Sequence, residues 1–136
     1  MGYESRLYIV ERHEINRKKC HDTYCLNVAR FELCKMDDSR FWNLFHTPID
    51  FELYGDAGED GDNVILTEDC YGKHCCYAEI SEVIEWLETE VQSNDYRRLK
   101  PLLALLKGFD LNEWNYNSSD DNGSTDVRLV VVHYGH

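Results

Sequence analysis

The chain has 136 residues, 43% of them apolar and 12% aromatic, and a formal net charge of −12. This length and composition predict one globular domain over residues 1–136 and argue against a disordered segment. No apolar run approaches the ~20 residues of a membrane-spanning helix, and charged residues interrupt the N-terminal segment where a signal peptide would have its apolar centre. We therefore expect a cytoplasmic protein that does not contact a membrane.

The first third of the chain predicts two strands and a short helix. Residues 3–14 and 23–35 alternate in the manner of half-buried strands, and the basic connection between them favours an antiparallel pair. Residues 37–46 carry a capping residue ahead of an aromatic cluster, which predicts a short helix. Residues 47–63 are polar and rich in glycine, which is typical of a loop.

The rest of the chain predicts a hairpin, two helices and a final strand. Residues 63–69 and 74–80 read as two strands around a turn, and helices are expected at about 81–92 and 94–107. Asn122-Gly123 favours a tight turn, and residues 127–134 form a β-branched run that predicts a strand covered on both faces. The expected fold is α+β: an antiparallel sheet of four or five strands with the two main helices packed on one face.

The negative charge is concentrated in the middle of the chain. Residues 47–96 contain fourteen acids and a single base, Lys73, for a net charge of −13, whereas residues 1–46 sum to +1 and residues 97–136 to zero. A field of this size attracts basic partners and disfavours direct binding to nucleic acid. We expect these acids to pool into one negative surface.

This segment supplies the predicted partner-binding residues. We expect ten acids and two aromatic anchors to take part, with Tyr54 and Tyr77 as further candidate anchors. The set is Asp56, Glu59, Asp60, Asp62, Glu68, Asp69, Glu79, Glu82, Glu85 and Glu88, together with Tyr71 and Trp86.

The six cysteines leave a metal site and a reactive pair open as alternatives. Two C-x4-C segments, at 20–25 and 70–75, offer Cys20, Cys25, Cys70 and Cys75 as zinc ligands, with His21 or His74 as substitutes. Four intervening residues exceed the usual spacing at a zinc-binding turn, so inert, buried thiols are the favoured interpretation and no cofactor is expected. A small enzyme would need a cysteine beside a base, such as Cys76 with His46 or His133.

The functional hypothesis is a non-enzymatic binding or inhibitor protein. Its negative surface would dock on a basic protein partner that itself acts on nucleic acid, as a nucleic-acid mimic does. In size and charge the chain is similar to the small acidic inhibitors that bacteriophages direct against host defence or transcription systems. If it is encoded by a phage, we expect it to work in the host cytoplasm. A small-ligand-binding domain is a further alternative, and the oligomeric state is left open.

Overall fold

The structure, a computed structural model, describes residues 4–34, 39–57, 63–69, 72–93 and 99–135. Within these ranges the chain alternates strands with short and long helices. The strands are β1 (Glu4–Arg17), β2 (Cys20–Cys34), β3 (Thr47–Pro48), β4 (Leu53–Ala57), β5 (Asn63–Leu66), β6 (Cys76–Glu79), β7 (Tyr116–Asp120) and β8 (Gly123–Gly135). The helices are α1 (Ser39–Trp42), α2 (Ile80–Ser93), α3 (Leu99–Lys107) and α4 (Leu111–Trp114).

A six-stranded antiparallel sheet forms the centre of the molecule. Its strands run in the order β2-β1-β8-β6-β3, and β7 pairs with the N-terminal end of β8. Strands β4 and β5 pair separately as a two-stranded ribbon. The α+β class is confirmed, whereas the expected four or five strands are exceeded because β3 and β7 also join the sheet.

The helices cover one side of the sheet, which we call the helix face. Leu7 and Ile9 of β1 and Leu129 and Val131 of β8 point to this side and pack against α1, α2 and α3. The buried stripe of α2 and the leucines of α3 complete this core, as the sequence pattern predicts. The helical residues are Ile80, Val83, Leu87, Leu99, Leu102 and Leu106. Residues 94–98, which the sequence assigns to the second helix, lie outside the described residues.

An extended segment covers the opposite side, which we call the loop face. Alternate residues of β1 and β8, such as Tyr8 and Val130, point to this side and pack against Ile49, Phe51 and Leu53. Because β8 is buried on both sides, the prediction of a doubly covered final strand is confirmed. Segment 47–57, expected to be a loop, instead contains β3, which joins the edge of the sheet, and β4. Its residues 49–53 pack as a second layer over the loop face.

The predicted hairpin of residues 63–80 is wrong. Strand β5 pairs with β4, while β6 pairs with β3 and β8, so the two halves of the expected hairpin join different partners. Only an isolated bridge from Glu68 to His74 remains between them. The chain does turn here, since Gly72 donates its backbone amide to Asp69 O at 3.0 Å. Strand β6 nevertheless pairs with β8, whose residues are buried on both faces of the sheet.

No helix among the described residues is long and apolar enough to cross a membrane.

Candidate functional site: an acidic cleft beside the edge strand

The described acids of residues 47–96 lie on opposite sides of the sheet. Glu82, Glu85 and Glu88 belong to α2 on the helix face, whereas Asp50 and Glu52 belong to the segment on the loop face. The expectation of a single pooled surface is therefore not met for these residues. The acids form two separate surfaces, which we call the acidic cleft and the α2 acid row.

The acidic cleft lies between β2 and the segment 49–54. It has a volume of about 570 Å³ and is walled by Asp22, Thr23 and Tyr24 of β2 on one side and by residues 49–52 and Tyr54 on the other. A neighbouring depression of about 390 Å³ shares Asp22, Thr23 and Asp50 and adds Glu14. Four acidic residues, Glu14, Asp22, Asp50 and Glu52, thus line one continuous concave surface. Strand alternation places the side chain of Asp22 on the same side of β2 as Tyr24, at the strand edge rather than on the loop face.

Arg12 fixes one wall of the cleft to the sheet. Its guanidinium donates to both carboxylate oxygens of Asp50, with Nε–Oδ1 at 3.1 Å and Nη2–Oδ2 at 2.6 Å, and to Glu14 Oε2 at 3.0 Å. The same group lies over the ring of Tyr77, 5.9 Å from its centroid. Because a two-point arginine–carboxylate pair is directional, it holds segment 49–54 in register over β1.

Two further contacts tie the segment to β2. The Cys25 thiol donates to the backbone oxygen of Glu52 at 3.2 Å, and the Asn27 amide donates to the backbone oxygen of Tyr54. Both Cys25 and Asn27 sit on the loop-face side of β2. These two hydrogen bonds hold the segment of residues 49–54 against β2, beside Thr23 and Tyr24.

The charges of the cleft are only partly balanced. Hydrogen bonding to Arg12 lowers the pKa of Asp50, so this carboxylate stays ionised in moderately acidic solution. Within the described residues, Asp22 and Glu52 form no ion pair, and Glu52 instead accepts the Tyr54 hydroxyl at 3.2 Å, which raises the pKa of Tyr54. Four carboxylates and one guanidinium leave the cleft with a net charge of −3.

The α2 acid row is about as exposed as the acids of the cleft and is partly neutralised, since Glu88 pairs with Lys107 at 3.1 Å. Glu79, just before α2, lies opposite Val130 on the loop-face side of the sheet and 3.8 Å from Arg128. Burial raises the pKa of Glu79, helped by the nearby Glu82 carboxylate and opposed by Arg128. Only Glu82 and Glu85 of this row lack an ion pair within the described residues.

The remaining predicted contact residues are dispersed. Trp86 is half-buried and its ring packs 5.4 Å from that of Phe41, which makes it a core residue rather than a protruding anchor. Asp69 accepts the backbone amide of Lys73 at 3.0 Å and so shapes a turn. The predicted site residues Glu59, Asp60, Asp62 and Tyr71 lie outside the described residues, and only the backbone of Asp56, in β4, is described.

The proposed zinc set does not come together. Cys20 and Cys25 lie on one continuous strand, where five residues span roughly 16 Å and place the two side chains on opposite faces. Cys20 is exposed at the hairpin end, whereas Cys25 and Cys75 are buried in the loop-face core, where burial raises their pKa values to about 11 and about 12. Cys70 lies outside the described residues.

Across the described ranges, no three histidine, cysteine or acidic side chains converge on a point that could hold a metal ion.

Cys76 and His133 are cross-strand partners on β6 and β8 and line one small pocket with Asp69 and Lys73. Burial raises the pKa of the Cys76 thiol and lowers that of His133 to about 4. His133 Nε2 lies 3.0 Å from Ser5 Oγ, and its ring stacks on Phe45. Both shifts favour the neutral side chains, which makes the Cys76 thiol a weaker nucleophile than an ordinary cysteine.

Sequence reasoning missed two carboxylates of the cleft. Glu14 and Asp22 come from the N-terminal hairpin, whose summed charge of +1 conceals them. Strand alternation could have found Glu14, because Arg12 and Glu14 fall on the same side of β1 and mark a charged stripe. Comparison with known proteins found no match among family models, curated proteins or solved structures.

Proposed function

We propose that the protein is a small acidic binding or inhibitor protein that docks on a basic protein partner through the acidic cleft. The observation that carries this proposal is the cleft itself. Among the described residues, it and the neighbouring depression are lined by four acidic residues and by no lysine or arginine, and Arg12 pairs with only two of these acids, Glu14 and Asp50. Tyr54 stands at its rim, and tyrosine rings attract lysine and arginine side chains. Concavity, charge and this aromatic ring together suit a positively charged ligand.

The class of partner follows from the electrostatics of the whole chain. A protein that acts on nucleic acid presents a positive surface to phosphates, and a chain with a net charge of −12 is drawn to such a surface over long distances. Carboxylates arranged along a cleft and a helix can then occupy positions that phosphates would take. An inhibitor of a nucleic-acid-acting protein, of the kind bacteriophages carry, is the role we assign.

The two acidic surfaces have different parts in this proposal. The cleft makes the specific contact because it offers defined walls and an ordered arginine–carboxylate anchor. The α2 acid row, on the opposite face, adds to the long-range attraction and speeds encounter without entering the interface. This division makes the two surfaces matched controls for one another.

Affinity capture from nuclease-treated lysate tests the proposal. The immobilised protein is compared at low ionic strength and at about 0.5 M salt, where charge attraction between exposed groups is largely screened. The cleft variant carries Asp22→Asn and Glu52→Gln, and the control carries Glu82→Gln and Glu85→Gln, the same change in net charge on the opposite face. Captured proteins are identified and quantified by mass spectrometry.

We expect a basic, nucleic-acid-binding protein to be enriched by the wild type at low salt. It should be lost at high salt and with the cleft variant, and largely kept by the control. Equal capture by the cleft variant and the wild type would contradict the role of the cleft. If no basic protein is enriched under any condition, the proposed function is wrong.

A further inference from the structure

Strand β2 has a free outer edge next to the cleft. It is the terminal strand in the sheet order of the described residues, so every second residue turns its backbone amide and carbonyl away from β1. Such an edge can accept a further strand from another polypeptide, in the mode by which many binding domains hold extended peptides. The cleft wall formed by Asp22, Thr23 and Tyr24 is part of this strand.

The two sides of this edge differ in chemistry. On the helix-face side, Tyr24 and Leu26 point outward, are 37% and 50% exposed and lie outside the core that the helices cover, with Asp22 next to Tyr24 on the same side of the strand. On the loop-face side, the edge borders Asp50 and Glu52. An added strand would place successive side chains alternately over an apolar pair and over carboxylates.

We propose that an extended peptide segment with alternating basic and apolar residues adds to β2 over residues 22–26. Its lysines or arginines lie in the acidic cleft, and its apolar side chains pack on Tyr24 and Leu26. This inference rests on the proposed function and specifies the form in which the basic partner presents itself.

Charge complementarity selects this occupant over a second copy of the chain. Pairing two β2 edges would bring two clefts of net charge −3 together, and like charges across an interface oppose association. A basic strand removes that repulsion and offers backbone partners to the free edge. Tyr54, 39% exposed and bonded to Glu52, closes the loop-face side over the basic side chains.

Fluorescence anisotropy with short labelled peptides tests the inference on the full chain. The probe alternates Lys and Val and is long enough to lie along residues 22–26. A control peptide has the same composition with its lysines and valines in separate blocks. Two further versions carry N-methyl groups on the lysine amides or on the valine amides, which removes donors to the edge and keeps the charge.

We expect the alternating peptide to bind at low salt and to bind at least about tenfold more tightly than the block peptide. At least one N-methylated version should lose binding, since one set of its amides faces β2. Asp22→Asn with Glu52→Gln should weaken binding about tenfold, whereas Glu82→Gln with Glu85→Gln should leave it nearly unchanged. Sedimentation should show a monomer before peptide is added.

The outcomes separate this inference from the proposed function. If block and N-methylated peptides bind as well as the alternating one and still depend on Asp22 and Glu52, strand addition is wrong and the acidic docking site stands. If no basic peptide binds at low salt, both proposals fall. A stable dimer that involves β2 would show that a second copy occupies the edge and would overturn the inference alone.

Discussion

Arg12 is the residue on which the acidic cleft depends. Its side chain is only 13% exposed, and it joins β1 to segment 49–54 through Asp50 while contacting Glu14 and Tyr77. The sequence predicts Arg12 as a strand residue, but alternation cannot tell which distant carboxylate a strand arginine will meet. The contact spans 38 positions of the chain, which only the fold supplies.

Replacing Arg12 should loosen the loop-face layer. We expect Arg12→Ala to lower the free energy of unfolding by about 1–3 kcal/mol, because it removes a two-point charge-assisted pair and leaves Asp50 without its partner. Arg128→Ala is the matched control: Arg128 lies opposite Arg12 on β8 but is 53% exposed, so we expect about 0.5 kcal/mol or less. Urea unfolding measures both values, and equal losses for the two variants would count against the anchoring role.

His133 should make stability sensitive to mild acid. Burial lowers its pKa to about 4 against an ordinary value of 6.5, while Asp69 opposes this shift and Lys73 supports it. The unfolded chain therefore takes up a proton near pH 6.5 that the folded chain resists until about pH 4. This histidine therefore does not reduce the free energy of unfolding above pH 6.5. As the pH drops to about 4, the free energy of unfolding falls by on the order of 3 kcal/mol.

Urea unfolding at several pH values between 7.5 and 4 measures this loss. The His133→Gln variant should lose distinctly less stability across the interval than the wild type. His46→Gln, which changes an exposed histidine, should keep the wild-type dependence. Parallel curves for the wild type and His133→Gln would show that His133 is not the group responsible.

At the scale of elements, two long hairpins meet at the end of the sheet away from the helices. The β1–β2 turn and the β7–β8 turn touch where Lys18 donates its backbone amide to Asn122 O at 3.0 Å. Gly123 permits this approach: its φ is +135°, and a Cβ there would overlap the Asn16 backbone oxygen and lie 2.7 Å from Arg17 Cα. Both backbone conformation and space require glycine at this position.

Gly123→Ala should therefore cost more than an ordinary glycine substitution. We expect a loss of about 2–4 kcal/mol, since strained backbone and a collision with β1 backbone add together. Gly72→Ala is the control, because Gly72 also has a positive φ, +79°, but its Cβ would meet nothing within 4 Å. Its loss should stay near 1 kcal/mol. Thermal unfolding compares the two, and similar losses would contradict the close-packing explanation.

The elements also show where sequence reasoning stops. The periodicity of α2 and the β-branched run of β8 predict their burial correctly, because each pattern is local. The hairpin expected over residues 63–80 fails because strand pairing is decided between segments: the partner of β6 lies more than fifty positions away, on β8. Turn residues indicate where the chain reverses but not which strand it then joins.

At the scale of the whole molecule, charge summed along the chain differs from charge arranged in space. Residues 47–96 hold nearly all of the excess acid, yet the sheet divides its described acids between two faces. Arg12, Arg40, Lys107 and Arg128, from outside that segment, each pair with one of them. The acidic cleft arises because the N-terminal hairpin contributes Glu14 and Asp22. Their negative charges do not show in a charge sum along the sequence, because basic residues of the same segment cancel them.

Hydrogen exchange read by mass spectrometry tests most directly whether the acidic cleft is the docking surface. The full chain is exchanged with and without the alternating Lys–Val peptide at low salt, and protection is mapped along the sequence. Our account predicts slower exchange over residues 20–26 and 49–54 and unchanged exchange over α2. Protection confined to α2, or none anywhere under conditions in which the peptide is bound, would contradict it.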